Sequence, residues 1–540
     1  MTTRQNDTPK IHLEIQKHRS NPYGLLRTTF REDGKVKHKT ISRITGVSLD
    51  TLKLIQASLQ GKAVFKTDFK IVNSKEYGAS YACLKLSKEL GIDKAIYSRT
   101  TEPWVRDCLA MIVGRLIYAG SKLSLSKITK DSSLWEICGV IDSEIDVNTH
   151  CYDAMDKLIE RQEVIQKNLA EKHLDNNSII LYDITSSYLE GEYEDSEIVK
   201  FGYNRDQKKS HEQIVIGLMC NKDGCPISVE VFRGNTKDET TVMDKVSEIK
   251  DKYNIKDAIF VGDRGMITKS NFDSIQENNY IKTISALTHS QIKNLCETEY
   301  VQLSMFDEKN IVEAIDGNIR YALCKNPDIQ SKNKKQREAL LDKTKDALNK
   351  IVEAKRKTTD EKIGIRVGKV LNKYKMGKFF KIEINDGKLR WELDEEKVKN
   401  EELFDGCYVI TTDVSNEDMD ITEVVRNYKH LINVEQAFRS LKTTRLEIRP
   451  IYHKTDKRIN CHVFICMLSY YLMWHMKQRL KPLLELDRSG ENRKYTFEHI
   501  IERLKSIRNE TVDFSGVKTT VITERDSDQS IILDFLGITI

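Results

Sequence analysis

The order of apolar runs predicts an α/β protein built on one mixed sheet, with its core split by a long insertion. Three observations carry this. Residues 178–187, Ser-Ile-Ile-Leu-Tyr-Asp-Ile-Thr-Ser-Ser, read as a buried strand, and Gln213–Cys220 with Pro226–Phe232 reads as a hairpin around Asn221-Lys222-Asp223-Gly224. From Asp238 onward helix and strand alternate: a helix to Tyr253, a strand over Ala258–Gly262, a helix over Lys269–Asn278 and a strand over Tyr280–Ser285. Asp263 and Glu435 are then 172 residues apart, too far for a loop, so an inserted subdomain over roughly 290–405 must interrupt the core.

Before the core, residues 1–75 alternate polar and apolar side chains. Arg31-Glu32-Asp33-Gly34 separates two such runs, a hairpin signal, and residues 1–45 carry 10 Lys/Arg against 4 Asp/Glu. Residues 76–177 change to helical periodicity, as in Tyr81–Leu90 and Trp104–Ala119, and predict an all-helical module. The core's first part spans 178–289. The insertion follows at 290–405, with strands expected at Phe379–Ile384 and Arg390–Leu393. A second core part covers 406–480, entered through the apolar run Cys407–Thr412, and 481–540 forms a C-terminal region. Asp420 and Glu423 are placed to cap the helix that carries Glu435.

With 39% hydrophobic and 31% charged residues, the composition predicts a water-soluble globular protein, and an opening decapeptide polar throughout argues against a secretory signal. The 16 residues from Cys461 to Met476 fall short of a membrane span and read as a buried helix, so a cytoplasmic protein is expected. Eleven scattered cysteines fit reduced thiols. Cys220 with Cys225 and Cys461 with Cys466 lack a second Cys/His pair at finger spacing, which argues against zinc. The net charge of +5 hides an asymmetry: residues 331–381 hold 17 Lys/Arg and 6 Asp/Glu, so the remainder is net acidic. Such a confined basic segment is the footprint expected for a phosphate backbone, or else a solvated lysine-rich helix over 335–357.

Within this frame three acids stand out. Asp183 breaks the apolar run of its strand on the face of Ile179 and Leu181, and Asp263 projects from a strand end into the turn Gly262-Asp263-Arg264-Gly265. Glu435 lies in the run Asn427–Lys442. If that run is one helix, seven-residue spacing sets Tyr428, Glu435 and Lys442 on one stripe; Arg439 leans toward it, and Leu431, Val434, Phe438 and Leu441 face a core. Strand-end aspartates often only cap turns and i,i+4 ion pairs are common on surfaces. Converging buried carboxylates, however, repel one another unless a cation joins them.

Together these motifs resemble the DDE transposases of bacterial insertion sequences, in the group with a Tyr-Arg-Glu-Lys signature, the insertion-sequence-four superfamily. Tyr428, Glu435 and Lys442 match that signature, with Leu431 where the family has Arg. Leu181–Thr185 and Val261–Gly265 match around the first two acids, Phe232–Asp238 matches the turn before the first core helix, and Leu446–His453 and His462–Cys466 continue the likeness; it runs from about 178 to 480. The resemblance implies a ribonuclease H-like core with a strand-rich insertion, and it makes the all-helical module over 76–177 a DNA-binding or dimerisation module. It also implies Asp183, Asp263 and Glu435 as catalytic residues and metal ligands for two Mg2+ ions (Mn2+ can substitute). Phosphate contacts would come from Tyr428, Arg439 and Lys442, with Arg264 replacing the charge missing at Leu431, and Trp391 would stack an unpaired base. The expected partners are double-stranded DNA, both terminal inverted repeats and target, and a second copy of the chain in a synaptic homodimer. Two other functions share these motifs: a domesticated protein that binds DNA without cutting it, and a ribonuclease H-fold nuclease without strand transfer.

Overall fold

The computed structural model describes the chain except residues 1–10, 17–21, 33–34, 62–68, 141–143, 206–207, 209, 256, 278–280, 299–300, 308, 355–358, 443–445, 486–494 and 515–516. The turn expected at 33–34, residues 278–280 and the basic residues 355–357 lie outside the described part. Two compact units result. One combines residues 1–78 with 505–526, and the other holds 79–504 and 527–540.

In the first unit Ile11–Gln16, Tyr23–Glu32 and Lys35–Ile44 form an antiparallel sheet beside the helix Leu49–Leu59. A second three-stranded sheet is made from sequence-distant pieces: Arg508–Phe514 lies between Phe69–Glu76 and Val517–Ile522.

The second unit contains an eight-stranded mixed sheet. Its strands, in chain order, are Ser178–Tyr188, Gln213–Asn221, Pro226–Arg233, Ala258–Gly262, Ile281–Ala286, Val312–Asp316, Ile319–Lys325 and Cys407–Thr412. Across the sheet the order is sixth, seventh, eighth, fifth, fourth, first, second, third. The first strand pairs antiparallel with the second and parallel with the fourth, and the fourth and fifth are also parallel. The first strand lies inside the sheet and most of its residues are buried, which explains the apolar run that Asp183 interrupts. The arrangement of the first five strands agrees with a ribonuclease H-like core.

Helices from both sides of the sequence cover this sheet. Leu431–Lys442 packs on the first strand, Ile421–Lys429 on the fifth, seventh and eighth, and Asp456–Arg479 on the third. The last of these also packs against Pro103–Ile117, so the helices over 78–173 and the sheet share one core. The run Cys461–Met476 is buried here at nearly every position. No single helix among the described residues is long and apolar enough to cross a membrane.

The segment between the fifth and eighth strands departs from the strand-rich expectation. Its first two strands, Val312–Asp316 and Ile319–Lys325, extend the main sheet. The basic part is mainly helical: Pro327–Val352 and Asp360–Tyr374, backed by the hairpin Phe380–Asn385 and Lys388–Leu393. Leu341, Leu348, Ile351, Ile363 and Val367 join Phe379, Phe380 and Leu389 in a separate small core. These aliphatic positions recur at helical spacing inside a sequence dominated by lysine, and that stripe decides the conformation.

Candidate active site

Sheet register brings the two aspartates together. Tyr182 pairs with Gly262 across the parallel first and fourth strands, so Asp183, midway along the first strand, and Asp263, just past the fourth, are the next residues where their parallel ladder ends. Open α/β sheets commonly form binding crevices beyond the carboxyl ends of their strands. Gly265 follows at φ +86°, a left-handed conformation that lets the chain turn away behind Asp263.

Glu435 arrives from the helix packed over the first strand. Its buried stripe is Leu431, Val434, Ala437, Phe438 and Leu441, which leaves Glu435 and Arg439 on the outward side. The expected single helix is in fact two, Ile421–Lys429 and Leu431–Lys442, divided at His430. There the His430 amide donates to the Asn427 carbonyl, and the Asn433 amide to the His430 carbonyl, three-residue bonds in place of the helical four. Asp420 caps the first of the two, through the amides of Thr422 and Glu423, and not the helix bearing Glu435. Glu435 and Lys442 therefore share a helix while Tyr428 belongs to its predecessor.

Asp183, Asp263 and Glu435 line one cavity of about 280 Å3, together with Arg439, Lys442 and Arg205. The cavity is small beside a cleft of about 680 Å3 lined by Arg264, Lys375, Lys378 and Lys429. Convergence of charge, not volume, makes the smaller one the candidate site.

The electrostatics of the cavity centre on Asp183. Burial pushes its carboxyl up to about 7; the Ile184 amide, which donates to Oδ1 at 2.8 Å, and Arg205 pull it down, while Asp263 and Glu435 push it further up. Asp263 is exposed, and its Oδ1 accepts from the Arg264 amide at 2.7 Å and from the Tyr428 hydroxyl at 3.2 Å. Burial and this neighbouring carboxylate hold the Tyr428 phenol protonated far above neutral pH.

Arg264 donates its amide to Asp263, its side chain hydrogen-bonds the Tyr428 phenol beside that acid, and it also lines the larger cleft. One expected site residue is placed elsewhere. Trp391 packs with the insertion's own core, edge-on to Phe380 at 5.6 Å between centroids; its indole is used as core filling and it is not among the residues lining the acid cavity. Sequence reasoning missed Arg205. Its guanidinium donates to the Ile184 carbonyl at 2.7 Å and to Asp238 at 2.5 Å, and both residues line the cavity. Asp238 ends the Phe232–Asp238 motif, the one signal that could have pointed to a cation here.

A mixed sheet that sets two acids side by side on neighbouring strands, completed by a helical glutamate and flanked by cations, makes a mixed-charge cavity whose donors suit a metal ion and a phosphate. The pattern of the transposase DDE domain matches residues 176–472, more than half of the chain and inclusive of all three acids. The chain belongs to this transposase DDE domain family and is a protein of DNA transposition and recombination. It has no match among curated proteins.

Proposed function

We propose that this transposase, of the Tyr-Arg-Glu-Lys group, binds the terminal inverted repeats of its insertion sequence, cuts the DNA there and joins the freed 3′ ends to target DNA. The observation that carries this reading is the convergence of Asp183, Asp263 and Glu435 on one cavity with Arg439 and Lys442 beside them. An all-oxygen, anionic donor set suits a hard divalent cation, and the raised pKa of Asp183 reports negative charge crowded into a poorly solvated place that such a cation relieves. Mg2+ is the expected ion, held by the three carboxylates, with Mn2+ as substitute. When bound, divalent ions there supply positive charge to the scissile phosphate and lower the pKa of the attacking water or 3′-hydroxyl.

The protein's own groups complete the site. Arg439 and Lys442 offset phosphate charge at the cut. Tyr428 acts through Asp263, fixing one carboxylate oxygen by its hydroxyl so that the other faces the cavity. Arg205 sets the base of the pocket by tying Asp238 to the first strand. Arg264, with Lys375, Lys378 and Lys429, faces duplex DNA flanking the cut. A homodimer synapses the two ends, working on nucleoid DNA in the cytoplasm.

Purified protein incubated with a labelled inverted-repeat duplex, Mg2+ and a plasmid target is expected to cleave and to insert. A shift without cleavage would make it a domesticated DNA binder, and cleavage without insertion a nuclease. Glu435→Gln is expected to lower cleavage by on the order of a thousandfold while leaving end binding within a fewfold. Loss of both together would count against a catalytic role for Glu435.

A further inference from the structure

On a different part of the second unit, three side chains with metal-binding atoms converge from three elements. His173 ends the helix Gln162–His173, Cys225 leads into the third strand, and His475 lies near the end of Asp456–Arg479. One donor atom from each lies within 4.8 Å of the other two. This is the one such group of three among the described residues, and none of its members belongs to the acid cavity.

Several features of the surroundings suit a bound cation. His475 Nε2 is buried and has no hydrogen-bond partner, a deficit that a bound cation would remove. The Tyr471 hydroxyl meets His173 Nε2 at 2.9 Å, an outer partner that fixes the ring. Tyr471 and Trp474 pack edge-on against the His475 ring, at 4.6 and 4.9 Å between centroids, and restrict its rotation. Burial pushes His475 down to about 4 and also lowers His173, which favours the neutral ring, the form that ligates. Cys225 is fully buried, and burial raises its thiol, which makes it inert until a cation draws off the proton.

We propose that His173, Cys225 and His475 form a zinc site. Two imidazoles and a thiolate are borderline-to-soft ligands that select zinc over magnesium, so this ion is chemically distinct from the one in the acid cavity. Tetrahedral bonds of roughly 2.0–2.3 Å set ligand atoms roughly 3.5 Å apart, within reach of small side-chain rotations from the spacing seen. A water completes the fourth position, and binding expels the thiol proton to solvent. The site staples the helical segment to the sheet and to the long helix. It also steadies the Asn221–Gly224 turn, whose Lys222 carbonyl accepts from Asn433 on the helix of Glu435.

The test uses the full-length, untagged protein. Metal analysis after dialysis without chelator is expected to find about one zinc per chain, and Co2+ added to zinc-stripped protein is expected to give tetrahedral visible bands with a thiolate charge-transfer band in the near ultraviolet. Cys225→Ser is expected to remove the charge-transfer band and His475→Gln to lower zinc at least fivefold, whereas Asp183→Asn, in the acid cavity, keeps both signals. Absence of zinc in the wild-type protein together with no Co2+ spectrum would overturn the proposal. That wild-type measurement decides the matter even where a variant fails to fold, and it does not depend on transposition.

Discussion

At Asp183, desolvation outweighs the pull of the Ile184 amide and Arg205, and the acid stays largely protonated up to about pH 7 when no cation is present. The unfolded chain ionises this side chain near 3.8. Its folded state therefore holds an extra proton between about pH 4 and 7, and stability falls as pH rises through that window. In EDTA, the melting temperature of Asp183→Asn minus that of the wild type is expected to be near zero at pH 4 and to reach about +2 °C at pH 8. Below pH 7 Mg2+ must also displace that proton, so calorimetry should show proton release on binding and about tenfold weaker affinity per unit of pH. An affinity unchanged between pH 6 and 8 would contradict the cavity as the metal site. Tyr428 gives a second test, since its hydroxyl orders Asp263 without carrying charge. Tyr428→Phe is expected to slow cleavage about tenfold at saturating DNA and to raise the Mg2+ requirement, with melting temperature unchanged.

The helix Leu431–Lys442 is set by what packs against it on both sides. Its buried stripe faces the first strand, and Asn433 on another side meets the turn between the second and third strands. Gly224 in that turn has φ +84°, and a Cβ there would lie 2.9 Å from the Asn433 Cβ. Gly224→Ala combines a left-handed backbone with a clash, and it is expected to cost about 1–3 kcal/mol by denaturant titration and to depress cleavage more than end binding. Truncating Phe438, which is 6% exposed, leaves a cavity beneath the helix that carries Glu435, and Phe438→Ala is expected to cost about 3–5 kcal/mol. The break at His430 explains why a seven-residue stripe through Tyr428 holds only from Glu435 to Lys442: spacing locates neighbours on one helix, and the two three-residue hydrogen bonds at His430 reset the phase.

For the molecule as a whole, charge is legible in composition while its use depends on the fold. Lys332, Lys335, Lys343 and Lys350 are exposed on the long helix of the insertion. Replacing all four with Gln is expected to weaken DNA binding at every sequence and to flatten the salt dependence by about 0.9 in slope for each phosphate no longer neutralised, measured by titration at several salt concentrations. The first unit depends on sequence-distant pairing, because Arg508–Phe514 is the central strand of its second sheet. Much of the core could be read in advance. The hairpin over 213–232 and the alternation after Asp238 follow from local periodicity, and polar residues interrupting apolar runs mark the three acids as candidates. Arg205 could not, because it is an ordinary loop arginine until the fold sets it beside Ile184 and Asp238. Cysteine spacing likewise argued against zinc, since the partners of Cys225 are histidines about 50 and 250 residues away in the chain.

From its sequence alone this chain determined many of its strands and buried helix faces and made three acids stand out as candidates, because period-two and 3.6-residue patterns are properties of neighbouring residues. Only tertiary structure decided that Asp183 and Asp263 are side by side, that Trp391 fills a core, and that His173, Cys225 and His475 meet. Strand order and helix docking bring together residues separated by tens to hundreds of positions. No local periodicity encodes that proximity, and with it come the burial and mutual repulsion that set the chemistry of the site.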